Sequence, residues 1–119
     1  DWVIVAGDLN DNPTSASLQP LLTVQNIYDV LELQFPGDPM KRWTYHYSQF
    51  EQIDFILISK PLKDRFRKAG VERRGIYKLK KITTDSNGLV TVEEEYDTVA
   101  RWKDAASDHG AVWAEFDIQ

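Results

Sequence analysis

The run Gln52-Ile53-Asp54-Phe55-Ile56-Leu57-Ile58-Ser59 constrains the fold more than any other part of the chain. It is short, nearly continuous in large apolar side chains, and bounded by polar residues. That combination predicts a strand over 52–59 buried on both faces. One acid, Asp54, interrupts it. A carboxylate inside a buried strand is costly unless it is paired or hydrogen-bonded. Two partners are open to it: a histidine imidazole, or backbone N–H groups at a sheet bulge. The chain has only two histidines, His46 and His109, so the first option has few candidates.

A second apolar run, Trp2-Val3-Ile4-Val5-Ala6, reads as another buried strand over 1–6. A domain rarely begins inside a core strand, so this start reads as the start of a fragment, and nothing about secretion follows from it. The loop Gly7-Asp8-Leu9-Asn10-Asp11-Asn12-Pro13 is dense in residues that break regular structure. Residues 14–23 predict a short helix, capped by Thr14, Ser15 or Ser17 and buried through Leu18, Leu21 and Leu22. Pro20 is compatible with it only in the first turn. Residues 27–35 are ambiguous, with a helical turn ending before Pro36-Gly37. The aromatic, Thr-containing stretch 43–47 suits a strand. Residues 61–69 read as a charged connector with at most one helical turn. Segments 71–84 and 89–97 flank Asp85-Ser86-Asn87-Gly88, a strong hairpin turn signal because Asn-Gly tolerates positive φ. A connector over 98–104 leads to Ser107-Asp108-His109-Gly110 and a last strand over 111–118. The order is mixed, with more strand than helix.

At 119 residues the chain holds one domain and is too short for two. No stretch approaches the ~20 apolar residues needed to span a bilayer. The absence of cysteine excludes disulfides, thiolate metal sites and a Cys nucleophile, and it leaves the compartment open. The net charge is −5, unevenly spread: residues 63–81 carry nine basic and two acidic side chains, between two acidic flanks. Such a segment either faces a polyanion or forms a solvated surface beside the acidic hairpin.

Three polar clusters sit at or inside apolar strands. In the first, Asp8 and Asn10 are two apart, so in an extended segment both side chains project from one face. A carboxylate beside an amide offers hard oxygen ligands and an N–H donor for phosphate. The plainer alternative is a turn held by Asx hydrogen bonds. The second cluster is Asp54. The third is Ser107-Asp108-His109, where adjacent acid and imidazole point in different directions, one toward a metal or its water and the other toward a phosphate. A loop whose polar residues simply meet solvent is the alternative there.

Together, Gly7-Asp8-Leu9-Asn10, Gln52-Ile53-Asp54-Phe55-Ile56-Leu57 and Ser107-Asp108-His109-Gly110-Ala111-Val112 closely resemble the C-terminal half of the endonuclease/exonuclease/phosphatase superfamily. That superfamily includes deoxyribonuclease I, abasic-site endonucleases, neutral sphingomyelinases and inositol polyphosphate phosphatases. Trp43-Thr44-Tyr45 also looks like the aromatic strand that precedes the Ile-Asp motif there. The resemblance runs from Asp1 to about Asp117 and is loose over 63–104. It implies an α/β protein of the α+β kind: half of a deoxyribonuclease I-like four-layer α/β sandwich, with one mixed or antiparallel sheet and short helices on one face. Residues 1–119 would be a single unit, the C-terminal portion of such a domain.

For the site, the resemblance implies that Asp8 orients or deprotonates the attacking water. Asn10 holds that water or a phosphate oxygen. Asp108, with Asp8, helps bind a divalent metal, Mg²⁺ first and Mn²⁺ or Ca²⁺ as alternatives. His109 contacts the phosphate as charged stabiliser or base, and Asp54 pairs with His109. The activity implied is a metal-dependent phosphoester hydrolase, a nuclease or phosphodiesterase before a phosphatase or a sphingomyelinase-like enzyme. An inositol phosphatase fits less well, because its Trp-Cys-Asp-Arg signature needs a cysteine. The substrate expected is a phosphoester, nucleic acid ahead of others, with the stretch from Lys63 to Lys81 a candidate for its backbone. The early Asn and metal-binding Glu of the superfamily have no match here. The chain on its own should therefore be catalytically feeble, and its partners would be the N-terminal half of the domain or a second copy in a homodimer. A non-catalytic binding module that keeps the fold is the competing class. Of the remaining residues, His46 reads as structural or exposed and Arg42 as a surface residue. Of Trp43, Tyr45 and Tyr47, at least two belong to packing, although any could stack on a base or lipid.

Overall fold

In the computed structural model, which describes residues 1–47, 49–77, 81–93 and 99–119, the apolar run forms strand β5 (Asp54–Ser59). Phe55 and Leu57 are buried on one of its faces and Ile58 on the other, as its composition predicts. Its start lies two residues later than expected. Asp54 is therefore the first residue of the strand and half-buried, not an acid in its middle.

Strand β5 lies between β1 (Ile4–Asp8) and β2 (Ile27–Asp29), antiparallel to both. The register pairs Val5 with Leu57 and Asp8 with Asp54. β1 begins three residues later and ends two residues later than expected, which brings Asp8 into the strand. Its environment differs more. The run was expected to be buried, yet all five residues of β1 are exposed, and so are Trp2 and Val3 before it. β1 is an edge strand whose one ladder partner is β5, and among the described residues no element covers it.

Asp29 decides the ambiguous segment 27–35. It ends β2 in extended geometry and its carboxylate accepts the Leu31 N–H at 2.9 Å, so it caps α2 (Val30–Gln34). An Asp at that position is a sequence signal for a helix start. Gln52 Nε2 donates to the other Asp29 oxygen at 2.6 Å, and burial raises the Asp29 pKa despite both bonds. At the other end of α2, Arg42 donates from Nε and Nη2 to the Phe35 carbonyl, which places it in a structural role.

The predicted helix over 14–23 shortens to α1 (Gln19–Leu22), with Pro20 in its first turn and no side-chain cap. Local side-chain bonds take the preceding residues: Asn12 Oδ1 accepts from the Thr14 N–H and hydroxyl, and Ser17 donates to Asp11. Such bonds compete with helix. Leu18, Leu21 and Leu22 end half-buried.

After β5 come α3 (Lys60–Lys63) and β6 (Phe66–Glu72), in place of a simple connector over 61–69. β6 pairs antiparallel with β9 (Ala111–Phe116). The core forms where these elements meet α2: Val30, Leu31, Ile58, Leu62 and Ala69 are buried together, with Val112, Ala114 and Phe116 of β9 packed against them. Each fully buried aliphatic side chain contributes roughly 1.5–3 kcal/mol. Short strands β3 (Tyr45–His46) and β4 (Phe50–Glu51) pair with each other, as do β7 (Lys81–Thr84) and β8 (Val90–Glu93). The turn between β7 and β8 is built as its sequence predicts, with Gly88 at φ 80° and the Asp85 carboxylate accepting from Asn87 and Leu89. The parts of the expected arms at 78–80 and 94–97, and Thr98, lie outside the described residues.

The fold is thus α+β, with short helices and antiparallel pairing. The strands do not form the single sheet expected. Among the described residues hydrogen bonding divides them into one three-stranded and three two-stranded sheets. The β6–β9 pair meets β5 through side chains in the core and not through a backbone ladder. No helix among the described residues is long and apolar enough to cross a membrane.

Candidate active site

Register brings the two acids together. Asp8 closes β1 and Asp54 opens β5, and they are directly opposed across the antiparallel pair. Opposed residues share a face with Cβ atoms about 4.5–5.5 Å apart, and like charges there repel. The His109 imidazole lies between them. Its Nδ1 lies 2.8 Å from Asp54 Oδ2, its Nε2 4.0 Å from Asp8 Oδ2, and the same Nε2 3.8 Å from Asp108 Oδ1. The pairing of Asp54 with an imidazole is therefore present, between residues 55 positions apart in sequence.

Partial desolvation of His109 opposes its protonation, but the Asp54 hydrogen bond and the charges of Asp54, Asp8 and Asp108 outweigh it. The net effect raises the pKa above the usual 6.5. Because Nδ1 faces Asp54, Nε2 is the atom turned toward Asp8 and Asp108. A carboxylate that fixes one ring nitrogen and frees the other is an orienting arrangement common to metal-ligating and catalytic histidines.

Backbone hydrogen bonds hold these side chains. The buried Thr44 accepts the Ile53 and Asp54 N–H groups at its hydroxyl, each at 3.1 Å, and the Gly110 N–H at its carbonyl at 2.6 Å. One residue thereby fixes the start of β5 and the start of β9. The His46 N–H donates to the Asp108 carbonyl at 3.0 Å, and Tyr45 forms an isolated bridge with His109. Ser107 Oγ accepts the His109 N–H at 3.0 Å. Gly110 is required by space: a Cβ there would sit 2.5 Å from Val71 Cγ1 and 2.9 Å from the Glu72 carbonyl. Thr44 was legible only as part of an aromatic strand, and nothing in its spacing marked this role.

Asn10 is placed differently from the expectation of a shared extended face. The chain leaves the strand at Leu9, and Asn10 adopts φ 55°. Its N–H donates to Asp8 Oδ1 at 2.8 Å, an Asx-type turn that steadies the Asp8 carboxylate. Asn10 is exposed beside Asp8, and the grouped donor atoms are those of Asp8, Asp54 and His109, all within 4.8 Å of one another. Asp108 stands at the edge of that group, half-buried.

His46 is buried, stacked on Phe50 at 4.3 Å, with Nδ1 3.2 Å from the Tyr77 carbonyl, which is a structural role. Five of the nine basic side chains of the segment meet partners within the chain, two of them in exposed ion pairs. Lys63 lies over the Tyr28 ring, Arg65 over Trp2, and Arg73 over Trp43 while donating to the Trp43 and Lys41 carbonyls. Lys68 pairs with Glu115 and Arg74 with Glu72, whose pKa falls to about 2 through its bonds to Arg74. Lys78 and Lys80 lie outside the described residues.

No protein-family model, curated protein or solved structure matches this chain.

Proposed function

We propose that this chain is the C-terminal portion of a divalent-metal-dependent phosphoester hydrolase of the endonuclease/exonuclease/phosphatase kind, a nuclease or phosphodiesterase by activity. The observation that carries this reading is the meeting of Asp8, Asp54 and His109, with Asp108 beside them, from three segments far apart in sequence. In hydrolysis the water oxygen forms a bond to phosphorus while the bond to the leaving oxygen breaks. The reaction needs an oriented water, neutralisation of the phosphoryl oxygens and help for the departing group. Asp8, exposed and steadied by the Asn10 N–H, orients the water and accepts its proton. His109 faces the phosphoryl oxygen through Nε2, and its raised pKa favours the charged stabiliser over the base. Asp54 holds that charge in place.

The donor set suits a hard divalent ion. Asp8 and Asp108 offer carboxylate oxygens on the open side of the imidazole, the ligands Mg²⁺ or Mn²⁺ prefer. Such an ion supplies charge neutralisation at the phosphate. Two carboxylates are few for this task, which agrees with a site completed by a further half of the domain. The exposed apolar strand β1 supports the same reading: a second sheet laid over it would give the two-sheet sandwich of the superfamily, and a second copy of this chain is the other candidate for that place.

The test is a Mg²⁺ titration of isotopically labelled protein followed by amide shifts. Saturable shifts around Asp8, Asp54 and His109, abolished in Asp108→Ala, are expected. Absence of close Asp54–His109 contacts by nuclear Overhauser measurement in the folded protein would sink the site itself. Phosphodiester hydrolysis that survives His109→Ala would sink the assignment of roles.

A further inference from the structure

The aromatic residues next to the candidate site form a row that packing alone does not account for. Trp43 is buried, and Tyr45 is half-buried with its ring tilted against His109 at 5.0 Å. Tyr47 stands two residues further, at the bend just after the strand ends. It is 61% exposed, and its ring meets that of Trp102 edge to face at 5.4 Å. Trp102 is 48% exposed and meets Tyr77 edge to face at 6.2 Å. Two large rings thus meet each other edge to face while much of their surface stays in water. They are tied to the site at both ends. Tyr47 follows His46, whose N–H bonds to the Asp108 carbonyl, and Trp102 opens the loop that leads to Ser107, Asp108 and His109.

The geometry points to Tyr47 and Trp102 as a stacking platform for an unpaired base of a single-stranded nucleic acid whose phosphate lies at Asp8, Asp54 and His109. The phosphate end of this inference rests on the hydrolase reading above. A nucleotide carries a planar ring at a fixed short distance from its phosphate, and an exposed aromatic face next to a phosphate site matches that pairing. Double-stranded substrate would not serve, since its bases are already stacked. A lipid surface fits the rim poorly. The residues around Trp102 are Arg101, Lys103 and Asp104, all exposed, with Arg101 paired to Asp104 at 2.7 Å, and a charged rim of that kind resists insertion into a bilayer. The platform also assigns the nucleic-acid contact to rings near the site, whereas Lys63, Arg65, Lys68, Arg73 and Arg74 of the basic segment meet partners within the chain.

The experiment compares two labelled probes by fluorescence anisotropy with Mg²⁺ present: a short oligothymidylate and a strand of equal length built from abasic spacers. The base-bearing strand is expected to bind about tenfold more tightly, a ratio typical of one good base–aromatic stack. Tyr47→Ala and Trp102→Ala should erase that preference, and Trp102→Phe should keep most of it. Equal binding of the two strands, no binding of either, or a preference untouched by both alanine variants overturns the platform. Mg²⁺-dependent cleavage of the abasic strand, compared with His109→Ala, reports on the hydrolase reading separately, because that probe has nothing to stack. Cleavage without base preference leaves the hydrolase and removes the platform. Base preference in a folded protein that lacks the close Asp54–His109 contact leaves the platform and removes the hydrolase site.

Discussion

Val5 and Leu57 face each other across one antiparallel pair, yet Leu57 is almost wholly buried and Val5 is exposed. The strands that carry them are both apolar, and each places one acid at the same end of the ladder, Asp8 in β1 and Asp54 in β5. Only the surroundings differ. β5 has ladder partners on both sides, whereas β1 has a single neighbour. Apolar patterning therefore reports what a strand can be buried against, not whether the covering layer is present. The two acids of the candidate site reflect the same contrast. Asp54, on the covered strand, is held by His109 and Thr44, while Asp8, on the open strand, keeps an exposed carboxylate steadied only by its own turn.

The sharpest way to break this comparison is to truncate its two central residues. Leu57→Ala should cost about 2–5 kcal/mol, the range for a buried leucine, whereas Val5→Ala should cost no more than about 0.5 kcal/mol. Urea unfolding of both variants measures the gap. Comparable losses would mean that β1 is covered in solution after all. Next in size is Gly110→Ala, where the added methyl meets Val71 and the Glu72 carbonyl. It should destabilise by about 1–3 kcal/mol and shift the His109 ring signals in the folded fraction. A stable variant with unmoved His109 signals would disprove the close fit.

A smaller effect tests the electrostatics of the two acids. The folded-state pKa of His109 is raised, so its stabilising contribution is complete below the unfolded value of about 6.5 and is lost as pH rises through the folded value. Stability in metal-free buffer should decline across that window, and Asp54→Asn should flatten the decline more than Asp8→Asn, because Asp54 makes the direct bond. Equal flattening would remove the distinction between covered and open acid. The smallest effect belongs to Ile4→Lys. It should leave monomer stability within about 0.5 kcal/mol, as for other exposed positions. Sedimentation should show any self-association of the wild type abolished. Association that survives this charge would place the contact away from β1.

Much of the site was legible because its residues stand at the ends of apolar runs. Asp54 declares itself by chemistry that a core strand does not tolerate without a partner, whereas Asp108-His109, in the loop before β9, stand out through the motif resemblance. The 85–88 turn is legible for a similar local reason, since Gly88 takes positive φ and Asp85 supplies the bonds. What sequence did not reveal depends on distant partners. The opposition of Asp8 and Asp54 is a matter of register, and the division of the strands into several sheets depends on how β6 and β9 pack over β5. The double service of Thr44 and the contact between Tyr47 and Trp102 arise only once chain segments far apart have met.

That long-range tie at Thr44 and Gly110 has a consequence for the timing of folding. Local turns such as 85–88 close early because the loop entropy they must overcome is small. The bond between Asp54 and His109 closes a span of 55 residues, so the site exists only once β1, β5 and the start of β9 have met. Any ion or phosphate that binds there recognises the finished fold and nothing earlier. It should therefore draw the folding equilibrium toward completion in proportion to the logarithm of its concentration above its dissociation constant. The same cluster that would carry out chemistry would thereby also hold together the three segments that build it.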